Sequence, residues 1–460
     1  IDLGYDDQMD DYVNTSNINE VTVLALSDKN ISDLTGIEDF IKLDELNVEN
    51  NQLSQLDVSN NIYLTNLSVH SNNLTELDLE NNVYLTDLII NNNNISSIDL
   101  TDNILLNRLI ASANELMAIN LSLNTNLTII DLADNGLTSL DLSSNTNLED
   151  IRIHNNNLSS LNFDQNSLLT YLSLYNNQIT SIDLSAMSNL NFLGMANNDV
   201  ASIDLSNNIN LTDLYLTGNQ LTSIDLSSNT EVKSVYLSQN QISSIDLSNN
   251  NNLSLLYIDN NEITSIDLSN NTDLISLRIN SNKLIGSINV STLTNLNEFL
   301  VIGNINLSCI EVNSDQLANI PSGWTKDVSV EYLTQCIVCT PEATVSSGAL
   351  TQTTTIGTAI TPTEITLSST CSDTTYTMSY VDNSVPGLIV SFTDNTINLS
   401  GAPAAEGTFD YSILVESTNL TYNQTSSTTL NGTITSNPPS LSTTLTSGPQ
   451  SQTVTATTSI

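Results

Sequence analysis

A chain of 460 residues with 8 Lys+Arg against 51 Asp+Glu, net charge −43, is long enough for more than one domain. It is too acidic to hold nucleic acid, because little in it could neutralise phosphates. Its apolar residues recur periodically, which excludes simple disorder, and no apolar run reaches the length of a membrane helix.

The sequence opens at Ile1 without methionine, which fits the expectation of a processed or trimmed secreted protein. Residues 1–20 place Ile1, Leu3, Tyr5, Met9, Tyr12 and Val13 as the apolar side of a short amphipathic cap. From 21 to 312 one unit repeats. Its clearest copies are LTDLYLTGNQLTSIDLSSNTE (211–231) and VKSVYLSQNQISSIDLSNNNN (232–252). The pattern L-x-x-L-x-L-x-x-N-x-L-x-x-I-D-L-S-x-N-x-x, with a period of about 21, is the leucine-rich-repeat signature. The fold expected is mainly β: a leucine-rich-repeat solenoid. One copy buries too few aliphatic side chains to offset the entropy of ordering its backbone, so only a stack of copies can fold. The units around 287–290 and 296–312 each gain a residue, as terminal repeats commonly do.

Two rows follow from the register. Asn51, Asn72, Asn93 and their successors at each repeat through Asn282 form an amide spine, because buried amides must be paired. Asp57, Asp78, Asp99, Asp141, Asp183, Asp204, Asp225, Asp246 and Asp267 point outward between inward Ile and Leu. That row is either a solvated acidic ridge or a set of calcium sites, since calcium favours carboxylate oxygens. No other metal or cofactor is expected.

The outward strand positions make the concave face. Its central column reads Asn47, Ser68, Ile89, Ile110, Asp131, Arg152, Ser173, Gly194, Tyr215, Tyr236, Tyr257, Arg278. Tyr171, Phe192 and Asp213 stand on one side of it, and His154, Tyr175 and Asp259 on the other. All three arginines, Arg108, Arg152 and Arg278, and both histidines, His70 and His154, fall on this face. Tyrosine with arginine is the composition of binding hot spots, and an exposed aromatic patch usually marks a ligand. The alternative is that the tyrosines only stabilise neighbouring strands. An enzyme is not expected: His154 lies near Asp131 or Asp150 in register, yet no nucleophile motif accompanies it.

Residues 313–338 read as a C-terminal cap. Cys309 with Cys336 would seal the last repeat around Trp324, and Cys339 with Cys371 would staple the next domain. Cys336-Ile337-Val338-Cys339 has redox-motif spacing but sits at a domain junction, where a structural role is expected. Beyond it, short Thr/Ser-rich alternating runs such as ITLSS, YTMSYV and LIVSF predict an immunoglobulin-like β-sandwich over 339–438. SGALTQTTTIGTAI (347–360) recurs as SGPQSQTVTATTSI (447–460), so 439–460 is expected to begin a second sandwich, with further copies downstream.

NISDLTGIEDF (30–40), followed by repeats ending in SIDLSNN, resembles secreted leucine-rich-repeat surface proteins of the Bacteroidetes, and the order cap, repeats, sandwich resembles the internalins. GLIVSFTDNTINLSGAPAAEGTFDYSILV (387–415) looks like the immunoglobulin-like repeats of large cell-surface adhesins, with Gly401-Ala402-Pro403 where their consensus has Gly-Thr-Pro. Asp373-Thr374-Thr375 resembles that phylum's O-glycosylation site, with Thr374 as acceptor. The resemblance implies a secreted or cell-surface adhesin, of a kind many of whose members are exported by type IX secretion, that binds a protein or glycan on the concave face without inserting into membrane. The competing expectation is a structural subunit of an extracellular assembly with no free ligand.

Overall fold

The computed structural model describes residues 18–336, 341–369, 374–382, 385–419 and 424–440. The expected N-terminal cap through residue 17, Cys339, Cys371 and residues 441–460 lie outside these. The chain divides into two compact units, Ile1–Cys336 and Ile337–Ile460.

Among the described residues of the first unit fifteen strands form one parallel sheet whose order is the chain order, from Val23–Ala25 to Gly323–Thr325. Nearly every strand is three residues long because the motif supplies only one outward residue on each side of a buried one. Leu214 is fully buried between half-buried Asp213 and Tyr215, and it pairs in register with Val235 and Leu193. After each strand the chain reverses through a residue with positive φ, such as Asn50 (55°), Asn176 (55°) and Gly218 (69°). Asparagine and glycine recur in that column because they enter the left-handed region at least cost.

The amide spine forms as expected. Asn240 Nδ2 donates to the carbonyls of Leu216 and Leu237, and its Oδ1 accepts from the Leu221 amide. A second buried amide ladder, not anticipated, runs through the asparagine of each D-L-S-x-N segment. Asn250 Nδ2 donates to the carbonyls of Leu226 and Asn229, and Asn61, Asn82 and Asn271 do the same one repeat after another. Each of these side chains spans two turns of the solenoid, so the ladders staple repeats that no continuous strand joins.

At the far end the sheet runs beyond 312, into the stretch expected to be only a cap: Glu298↔Gly323 and Phe299↔Trp324 extend the pairing. A second, three-stranded parallel sheet forms there from Ile285–Asn289, Asn306–Glu311 and Glu331–Leu333. A short helix, Ser314–Ala318, starts on a capping box between Asn313 and Gln316. Cys309 and Cys336 are disulfide-bonded with Cα atoms 5.9 Å apart, and buried Trp324 packs on Phe299 and Tyr332. The Trp324 indole N–H donates to the Leu296 carbonyl at 3.0 Å.

In the second unit the described residues form eight strands in two four-stranded sheets. One runs Pro341–Ser347, Thr363–Ser369, Thr396–Gly401, Leu388–Thr393; the other runs Gln352–Thr355, Gln424–Asn437, Gly407–Asn419, Thr374–Asp382. Ile365, Ile397 and Leu399 from the first share one apolar cluster with Tyr411, Ile413 and Val415 from the second. Among the described residues no helix is long and apolar enough to cross a membrane.

Candidate functional site on the sheet face

The outward column has the predicted register from Asn47 to Arg278, and it continues to Leu300 and Thr325. On it the aromatic side chains form a single line rather than two columns. Tyr171 stacks on Phe192 with centroids 4.2 Å apart and planes 6° from parallel. Phe192 then meets Tyr215 at 5.3 Å, Tyr215 stacks on Tyr236 at 4.3 Å and 8°, and Tyr236 meets Tyr257 edge-on at 4.8 Å. The crossing from one column to the next depends on Gly194. A Cβ there would stand 3.0 Å from Phe192 Cε1, so the missing side chain leaves room for the ring to lean toward Tyr215.

Both ends of the line are closed by guanidinium groups. Arg152 lies 5.0 Å from the Tyr171 centroid and is bonded through Nε and Nη2 to Asp150. Arg278 lies 4.1 Å from the Tyr257 centroid and holds Glu298 Oε1 at 2.8 Å. Glu298 Oε2 also accepts from the Ser276 hydroxyl and from Tyr257 Oη at 3.3 Å. These bonds, Ser276 first and then Arg278, keep the Glu298 carboxyl below its ordinary range. Asp150 and Glu298 are the site residues that sequence reasoning passed over as partners. Glu298 follows Ser276 by 22 residues instead of 21, and allowing for that extra residue would have revealed it.

Partial burial raises the Tyr171 and Tyr175 hydroxyls and pushes Tyr215 up to about 12, with Tyr236 adding to the Tyr215 effect. His154 stands beside this line, its ring stacked on Tyr175 at 4.1 Å and its Nδ1 3.2 Å from Ser173 Oγ. Burial holds its imidazole below the ordinary value against the opposing pull of Asp134 and Asp131. Asp150, one expected partner of His154, is engaged by Arg152. His70 pairs instead with Glu49 at 2.8 Å. Asp213 accepts from Thr212, and Asp259 accepts from Ser238 at 2.6 Å and Asn260 at 2.7 Å.

The acidic row lies apart from this face. Each of its aspartates accepts from the backbone amide two residues on, as Asp225 does from Ser227 at 2.9 Å. Asn120 and Asn162 make the same bond where the row lacks an aspartate. The hydrogen bonds hold carboxyls such as Asp57, Asp183 and Asp225 below the usual aspartate value. A carboxylate at these positions therefore has a turn-closing role that an amide fills equally. Among the described residues no group of three or more His, Cys, Asp or Glu side chains could hold a metal ion.

Repeat, register and ladders define the first unit as a leucine-rich-repeat solenoid. The chain is similar in fold to the functional domain of InlJ from Listeria monocytogenes, at 22% identity and TM-score 0.59, over 93% of this chain and 92% of that one. It is also similar to the leucine-rich repeat domain of APL1B, at 22% identity and TM-score 0.51, over 64% of this chain and 88% of that one. No protein-family model matches the sequence, and no curated protein matches it. The InlJ domain includes a cysteine ladder, whereas the first cysteine here is Cys309 and the ladders are asparagine.

Proposed function

We propose that the sheet face is a protein-recognition surface of an extracellular adhesin. The observation that carries this is the line of five aromatic rings closed at each end by an arginine. Tyrosine and arginine are enriched where protein interfaces hold most of their energy. The geometry also favours protein over glycan. A sugar ring packs against an open aromatic face, but these faces are turned on one another and on guanidinium groups. What remains for a ligand is a row of ring edges and phenol hydroxyls, suited to apolar side chains and to backbone donors and acceptors.

Fixed charges beside the line, Asp131, Asp213 and Asp259 among them, favour a partner with basic residues at its rim. The Cys309–Cys336 bond supports an oxidising, extracellular setting. In the second unit, with strands numbered in chain order, the sheets run 1-3-6-5 and 2-8-7-4. That order corresponds to A-B-E-D and A′-G-F-C of an immunoglobulin-like sandwich, which supports reading this unit as a spacer that presents the solenoid. Thr374, at the start of Thr374–Asp382, is the O-glycosylation acceptor in this reading.

The test is to probe arrays of surface proteins and of glycans with the protein and with its Tyr215→Ser/Tyr236→Ser/Tyr257→Ser variant. Protein signals that vanish in a variant with unchanged circular dichroism are expected. Glycan signals lost in the same variant would overturn the protein assignment, and a variant that fails to fold would show that the rings serve packing.

A further inference from the structure

A second surface lies on the turn that leads into each strand. There the backbone closes a β-turn, with the Leu64 amide donating to the Asn61 carbonyl, Leu85 to Asn82 and Leu106 to Asn103. The two central positions of these turns are Ile62-Tyr63, Val83-Tyr84 and Ile104-Leu105, all between 40% and 54% exposed. Tyr63 and Tyr84 stack across the repeat boundary with centroids 6.4 Å apart.

The molecule contains its own control. In later repeats the same turn, with the same closing bond, carries Thr125-Asn126, Thr146-Asn147, Ser188-Asn189 and Asn251-Asn252. There Asn126, Asn147, Asn189 and Asn252 donate to the carbonyl 22 residues back. The turn therefore needs no apolar residue, and three successive repeats give up that bond to place six apolar side chains in water. Single exposed apolar residues such as Leu168 and Ile209 are ordinary, but a contiguous stripe is not.

We propose that this stripe is a second docking surface, separate from the aromatic line, for a protein segment that is apolar and basic. Charge selects that occupant. Between residues 38 and 108 the chain has twelve carboxylates against Lys42 and Arg108, and Lys42 is held by Glu20 at 2.6 Å. Glu80 and Asp102 precede the turns, Asp87 follows one, and Asp44 accepts from the Thr65 hydroxyl just after the first. A second copy would bring the same sign of charge onto itself, and an anionic membrane would be repelled.

The experiment uses the whole chain and a variant that installs the molecule's own later-repeat residues: Ile62→Thr, Tyr63→Asn, Val83→Thr, Tyr84→Asn, Ile104→Thr and Leu105→Asn. The probe is a fluorescent peptide of alternating leucine and lysine, titrated at low and high salt, with sedimentation in parallel. The expected result is an apparent affinity at least tenfold weaker for this variant, unchanged melting, and binding that weakens with salt. A Leu168→Ser/Ile209→Ser variant, which removes isolated exposed apolar residues from later turns, should keep full affinity. Equal peptide binding by wild type and stripe variant would overturn the proposal by showing non-specific attraction to the acidic chain. Self-association of wild type that the stripe variant loses would overturn the choice of occupant in favour of a second copy.

Discussion

Gly194 decides whether two aromatic columns become one line. Its missing side chain lets Phe192 lean from the Tyr171 column toward Tyr215, and its backbone needs no special conformation. Gly194→Ala should therefore fold normally, with a stability change within about 1 kcal/mol, because one methyl must be accommodated beside a half-buried ring. The Phe192–Tyr215 contact should loosen, read as altered near-ultraviolet circular dichroism, and partner binding should fall. Unchanged binding would mean that the line is not the recognition element. The tyrosines and arginines were legible in the sequence, since strand alternation puts them outward. The join at Gly194 was not, because it depends on where a neighbouring ring leans.

At the scale of the repeat, amides that bridge turns add to the stability supplied by the buried leucines. Asn240→Ala would leave the Leu221 amide without its acceptor and take one of two asparagine donors from each of the Leu216 and Leu237 carbonyls, which keep Asn219 and Asn261. A cost of about 1–3 kcal/mol is expected from the one buried amide left unpaired, measurable as a lower urea midpoint. A loss below about 1 kcal/mol would show that water reaches that amide. The disulfide works on the terminal repeat. Cys309 and Cys336 are 27 residues apart, a loop whose closure contributes about 3.5 kcal/mol in the chain-entropy account. Reduction should lower the melting temperature of the solenoid, and no change would mean that Trp324 and its neighbours seal the end unaided. The first amide spine could be read from the spacing. The second was present in the motif as D-L-S-x-N, but nothing in one repeat shows that its side chain reaches back to the preceding turn.

Across the whole molecule the dominant property is charge. The aspartate row sits on turns whose hydrogen bonds lower the folded pKa below the ordinary value. The stability these carboxylates add is thus complete above the unfolded aspartate value, about 3.9, and is lost as pH falls through the lower folded values. Replacing Asp183, Asp204, Asp225, Asp246 and Asp267 together with asparagine should preserve folding at neutral pH, since Asn120 and Asn162 close the same turn. It should also shift the acid-unfolding midpoint to lower pH. An unmoved midpoint would place acid sensitivity elsewhere. Calcium that raised the melting temperature of the wild type and not of this variant would revive the row as a cation site.

The sequence by itself determined the solenoid, its register, the inward leucines and the outward face, because a 21-residue period with strand alternation leaves one way to bury the apolar side. It also carried the Cys309–Cys336 pairing, since a terminal repeat needs a closed end. Only the tertiary structure decided which outward residues touch. Ring stacking across repeats, the Arg152–Tyr171 and Arg278–Glu298 contacts and the exposed turn stripe depend on side-chain direction and on neighbours 19 to 21 residues away. A periodic pattern fixes positions in a column, and rotamers and packing then determine the surface that those positions make.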